Sequence, residues 1–244
     1  MRKIRVDWHL EAGVAGPVNL CLLLLVLFSF PVVLRGTGAL AVANIDALSA
    51  EHTPAFGRFC FVITTFLWVA FAVALAGIRI RGKCSVQDLI GIHWYRWQAV
   101  IRDISISLLV LLVIAVIGNL SNTLLPPGPQ DTGYRSMVAQ NSTEALAFLT
   151  LALTAGFVEE FVFRGYMQRQ FQALFGNTLL AAVLQVLVFT QGHYYQGWTR
   201  LVPVVLIGAA LTAVALWRKT LVPGMTAHGS GDGLVAFSFF ARHF

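Results

Sequence analysis

The chain has 244 residues, of which 57% are hydrophobic and 11% charged; its net charge is +6, its pI about 9.7 and its mean hydropathy +0.75. A soluble domain carries roughly a quarter charged residues, so there is too little polar surface here to coat a globule in water. The composition predicts an all-α, polytopic transmembrane helical bundle. The positive excess flanks apolar spans and forms no basic stripe or aromatic platform, so topology control by lysine and arginine accounts for it and no nucleic-acid partner is expected.

A span needs about 20 apolar residues. The chain begins Met1-Arg2-Lys3-Ile4-Arg5, and the apolar run Val14–Leu34 follows. That run is longer than a signal-peptide core and closes on no small-x-small site, so it reads as a retained first span with the N-terminus in the cytoplasm. Phe59–Ile78 is the second span. The loop after it, 79–103, carries Arg79, Arg81, Lys83, Arg96 and Arg102. Within this loop Ser85-Val86-Gln87-Asp88 reads as a helix cap. Trp94, Tyr95 and Trp97 beside Arg96 read as an aromatic anchor at the headgroups, with substrate capture as the alternative. Ile104–Leu125 is the third span, and Pro126-Pro127-Gly128-Pro129 ends it in an external turn.

Segments 35–56 and 126–144 are polar, with acidic residues and few bases, which places the N-terminus and the 79–103 loop on the cytoplasmic side. Four more spans follow: Ala145–Phe163, Leu179–Phe189, Leu201–Trp217 and a weak Val222–Phe240. The result is a bundle of about seven helices, the last three short or broken around a membrane-embedded cavity. Cys21, Cys60 and Cys84 have neither disulfide nor zinc spacing, and no internal repeat is visible.

The chemistry concentrates in Glu159-Glu160-Phe161-Val162-Phe163-Arg164. Ionisable groups are expensive in hydrocarbon and tend to face a protein interior or a wet cavity. Adjacent helical residues point about 100° apart, whereas i and i+4 share a face. Glu160 and Arg164 therefore pair as a structural unit, and Glu159, with no partner on its own helix, is the reactive carboxylate. The alternative is a pair of glutamates solvated at the membrane interface. If the helix runs on to a turn at Gly176-Asn177, Glu159 and His193 lie at the same level, roughly 25 Å along antiparallel neighbours at 1.5 Å per residue. A break at Gly165 destroys that register. Tyr194, Tyr195 and Trp198 beside His193 read equally as an interfacial belt. On a helix, His228 and Asp232 share a face, so Asp232 either orients the imidazole or adds a ligand. Gly229, Gly231 and Gly233 allow close helix approach. Counting from Pro223-Gly224 places His228 shallower than Glu159.

Three motifs in order, Glu159-Glu160-x-x-x-Arg164, Phe189-x-x-x-His193 and His228-x-x-x-Asp232, resemble those of the CPBP family, the CAAX-protease and bacteriocin-processing (Abi) intramembrane proteases. The resemblance covers roughly residues 140–240, which form the catalytic core of a single integral membrane domain, 1–244. It implies an endopeptidase acting on a peptide or protein substrate in or at the lipid bilayer, in a bacterial cytoplasmic membrane. Glu159 and His193 would activate water, while His228 and Asp232 would bind the oxyanion or a metal. Zinc or another divalent ion on Glu159, His193, His228 and Asp232 is one form the family's chemistry takes, and a metal-free glutamate mechanism is the other. The last motif position is asparagine in some members. The aspartate here cannot donate to an oxyanion when ionised. Two readings compete with the protease: a catalytically silent immunity or partner-binding protein of the same fold, and a proton-coupled transporter, which no inverted repeat supports.

Overall fold

The computed structural model describes residues 13–46, 49–81, 84–91, 96–126, 128, 131 and 138–241, with side chains given to residue 236 at the C-terminal end. The N-terminal basic residues, Lys83, Trp94, Tyr95, Pro127 and Pro129 lie outside the described residues. The chain is all-helical there, with no strand. The helices are α1 (Pro17–Gly36), α2 (His52–Arg81), α3 (Val86–Ile90), α4 (Trp97–Leu124), α5 (Ser142–Phe175), α6 (Thr178–Gly192), α7 (Trp198–Arg218) and α8 (Val222–Ala241). Short 3-10 turns cover Ala39–Asn44 and Tyr194–Gln196.

Five helices, α1, α2, α4, α5 and α7, are long and apolar enough to cross a membrane. Of the last three predicted spans only α6, at 15 residues, is short; α7 and α8 run unbroken for 21 and 20 residues. The glycines of α8 are therefore not breaks. They are places where neighbours come close. At Gly156 of α5 an added Cβ would stand 2.5 Å from the backbone nitrogen and Cα of Gly229. Two backbones can pass this closely only where neither carries a side chain.

Polar ties define two ends of the bundle. At one end, Arg81 and Gln170 both donate to the carbonyl of Ala15, and Arg218 pairs with Asp103 at 2.8 Å. Arg169 donates to the carbonyl of Leu89, while the Leu221 N–H and the Thr220 hydroxyl both donate to that of Ile90. Ser85 caps α3 reciprocally with Asp88, as its spacing predicts. This end also carries Arg79, Arg96, Arg102 and Lys219. At the opposite end, Glu144 accepts from Thr53 at 2.6 Å and from Asn141 at 2.9 Å, and lies 3.0 Å from His52 Nδ1. There Asp131 accepts from Thr199 and Gly128, and Arg200 donates to Asn122 and to the Leu125 carbonyl. Burial would raise the Asp131 carboxyl, but these hydrogen bonds and Arg200 hold it below the usual carboxylate range.

α5 is the most buried of the five long helices and α4 the least. Every residue from Val158 to Phe171 is buried. The helix does not break at Gly165. It widens into a π-helical section, Glu160–Met167, in which the Gln168 N–H bonds back to the Phe163 carbonyl. It then continues to Phe175 and turns at Gly176, whose φ of +64° suits glycine.

Candidate active site

α5 supplies the two carboxylates. Glu160 Oε1 accepts from Arg164 Nη1 at 3.0 Å, and both side chains are fully buried. The i,i+4 pair is present as the sequence predicts. The guanidinium also donates to the Gly208 carbonyl and the Thr212 hydroxyl of α7, and its carbon lies 4.4 Å from the centre of the Phe189 ring. Gln185 of α6 donates to the same Thr212 hydroxyl at 2.5 Å. Arg164 thus ties α5, α6 and α7 together around one buried charge.

Glu159 points elsewhere. Its Oε2 lies 4.0 Å from Nε2 of His193 and 3.8 Å from Nε2 of His228. It is a buried oxygen with no hydrogen-bond partner among the described residues. His193 sits at the C-cap of α6, level with Glu159 because α5 and α6 form the antiparallel pair that the count from Gly176 predicts. Its Nδ1 lies 2.9 Å from the Phe189 carbonyl oxygen. A carbonyl only accepts, so Nδ1 carries the proton and Nε2 turns to Glu159.

His228 reaches the same point, and here the counted depth is corrected. Leu221, just before α8, packs against Gly165, so α8 begins beside the middle of α5 and not beside its end. From that level Glu159 and His228 are each six residues along antiparallel helices, counted from Gly165 and Val222. The regular helix closes the gap, with no irregular start. Asp232, one turn on, places Oδ2 3.6 Å from Nε2 of His228 and stays partly exposed. Sequence reasoning missed that Glu160 Oε1 also lies 3.1 Å from Nδ1 of His228. Nothing in the sequence pairs residues 68 apart on two helices of unknown rotation.

The aromatic residues near His193 divide. Tyr194 and Trp198 are exposed and stack edge to face. Tyr195 turns inward against Phe30 and Phe59. It lines a partly open cleft with Leu27, Phe30, Ile63, Phe66 and Leu67, and Glu159 and His193 belong to the same lining. Apolar walls with a few convergent polar groups are the usual form of a ligand site.

The expected metal set is not assembled. Among the described residues no three His, Cys, Asp or Glu side chains are grouped to hold an ion. The nitrogen-to-oxygen spacings of 3.6–4.0 Å exceed the roughly 3.3 Å between two donors on a tetrahedral zinc with bonds of about 2.0–2.1 Å. These side chains do not fit an ion as they stand.

Fold and site together define a polytopic helical membrane protein with a carboxylate and two imidazoles meeting in its interior. Residues 141–234 match the model of the family described as type II CAAX prenyl endopeptidase Rce1-like. The matched segment holds all three motifs, in line with the resemblance that they carry. No curated protein and no solved structure matches the chain.

Proposed function

We propose that this protein is an intramembrane endopeptidase that hydrolyses a peptide bond of a membrane-associated peptide or protein. One observation carries the reading: a buried carboxylate oxygen with no hydrogen-bond partner among the described residues faces two imidazole nitrogens, each at or within 4.0 Å. That spacing is too long for a direct hydrogen bond, and a water bound to this oxygen would be within reach of both rings.

Glu159 accepts a proton from the water, and His193 Nε2 accepts from the same molecule and aligns it. The water oxygen adds to the peptide carbonyl carbon, and the carbonyl oxygen becomes an oxyanion. His228 stands on the far side with Nε2 toward the reacting groups and donates to that oxyanion. Asp232 beside Nε2 favours a proton there, which gives an ionised aspartate a use where an asparagine would donate directly. The proton held by Glu159 passes to the leaving nitrogen, the C–N bond breaks, and a carboxylate and an amine are released. No step needs an ion.

We also propose that the basic end is cytoplasmic. The site is then nearer that face: Arg169 is ten residues below Glu159, about 15 Å, and Glu144 fifteen above, about 22 Å.

The test is cleavage of a library of membrane-anchored peptides in proteoliposomes, read by mass spectrometry, with Glu159→Gln beside the wild type. Products formed only by the wild type support the reading. Identical peptide pools from both proteins overturn it in favour of a partner-binding role.

A further inference from the structure

We infer that Glu160 is a positioning residue for His228, in addition to being the counter-ion of Arg164. A single oxygen, Oε1, serves both: it lies 3.0 Å from Arg164 Nη1 and 3.1 Å from His228 Nδ1. A carboxylate can only accept, so this contact keeps a proton on Nδ1, while the carboxylates beside Nε2 hold a second proton there and the ring is an imidazolium. The other nitrogen, Nε2, is then the one turned to Glu159 and Asp232. His193 solves the same problem differently, with a backbone carbonyl on its Nδ1. Both rings thus have their far nitrogen fixed by an acceptor, and both present Nε2 to the reacting groups.

The geometry is over-determined. Arg164 is itself held by Gly208, Thr212 and the Phe189 ring, so Glu160 cannot swing away from His228 without leaving a buried guanidinium. Gly224 leaves room for the carboxylate at the start of α8: a Cβ there would stand 3.0 Å from Glu160 Oε2. The chain of contacts runs from α7 through Arg164 and Glu160 to the ring on α8.

This inference rests on the protease reading for its catalytic meaning, but its test does not. The experiment is nitrogen NMR of histidine-labelled full-length protein in lipid nanodiscs, with the His228 signals assigned by their loss in His228→Gln. Expected in the wild type is a protonated Nδ1 on His228. Glu160→Leu combined with Arg164→Met replaces the buried pair as a unit by apolar residues of similar volume, which interiors often tolerate. In that variant the His228 Nδ1 should lose its proton while Nε2 keeps its own, and the His193 signals should stay and report an intact fold. Glu160→Gln should restore the wild-type pattern, because its amide oxygen still accepts. In any cleavage assay the double variant should lose kcat about 10-fold or more with KM unchanged.

A bare Nδ1 on His228 in the wild type overturns the inference, whether or not the variants fold. So does a folded double variant with unmoved His228 signals. Absence of proteolysis with the expected spectra would defeat the protease reading and leave the positioning role standing.

Discussion

Gly156 and Gly229 pass so closely that α5 and α8 touch backbone to backbone, one turn from Glu159 and at the residue next to His228. A methyl group at Gly156 has nowhere to go, because the obstacle is main chain. Gly156→Ala should destabilise the protein by about 1–3 kcal/mol, the usual cost of overpacking, and should lower activity by pushing His228 away. Gly57→Ala on α2 is the control: nothing lies within 4 Å of its Cβ, so it should be neutral or gain about 0.5–1 kcal/mol. Thermal unfolding of the purified proteins in one detergent decides. Equal midpoints for Gly156→Ala and the wild type would mean that the helices do not cross there.

Glu159→Gln should fold normally and lose about 10²- to 10⁴-fold in kcat, the range for a positioned general base. KM should hold, since the carboxylate acts on water. Steady-state kinetics on any cleaved peptide test this, and a variant retaining more than a tenth of wild-type kcat removes Glu159 from the mechanism.

Arg164→Ala leaves Glu160 buried without its guanidinium. The expected cost is about 3–5 kcal/mol, seen as a collapse of folded yield in size-exclusion chromatography. A wild-type yield would show that the pair is solvated.

Cleavage should survive strong chelators, because the carboxylate and imidazoles stand too far apart to grip an ion and the proposed steps use none. The check is activity after exhaustive treatment with a chelator, with metal content measured on the same sample. Loss on chelation with recovery on zinc addition would replace the glutamate mechanism by a metal one, and the ligands would then have to close up.

The charge distribution sets the orientation. In a protein lacking Cys21, Cys60 and Cys84, Gln87→Cys at the basic end should resist a membrane-impermeant maleimide in sealed cells, and Glu51→Cys at the other end should react. Both positions are exposed, so access is not limiting. The reverse pattern would invert the topology.

What was legible in the sequence follows from what is local. Glu160–Arg164 is an i,i+4 relation within one helix, and the level of His193 needs only a rise per residue and the turn at Gly176. His228 was misjudged because its level depends on where α8 starts against α5, and only the contact of Leu221 with Gly165 fixes that. The double use of Glu160 Oε1 was invisible for the same reason, since it needs the rotation of α8 about its own axis. Tyr195 could not be told from Tyr194 and Trp198, because a 3-10 turn decides which ring turns inward. The His52–Glu144 contact at the far end joins residues 92 apart with no shared pattern.

The π-helical section of α5 divides that helix into two parts whose faces are out of phase. Closing a ring on the fifth residue and not the fourth takes in one residue more than an α-turn, and one residue on an α-helix is about 100° of rotation. Above the section, Glu144, Phe148 and Gly156 face α2 and α8; below it, Arg169 and Gln170 face Leu89 and Ala15. Removing one residue between Glu160 and Met167 would let the helix wind evenly, yet each half would then aim about a quarter-turn away from its neighbours. The irregular stretch acts as a phase shifter. It lets one continuous rod satisfy two sets of partners that no evenly wound helix of this sequence could meet at once.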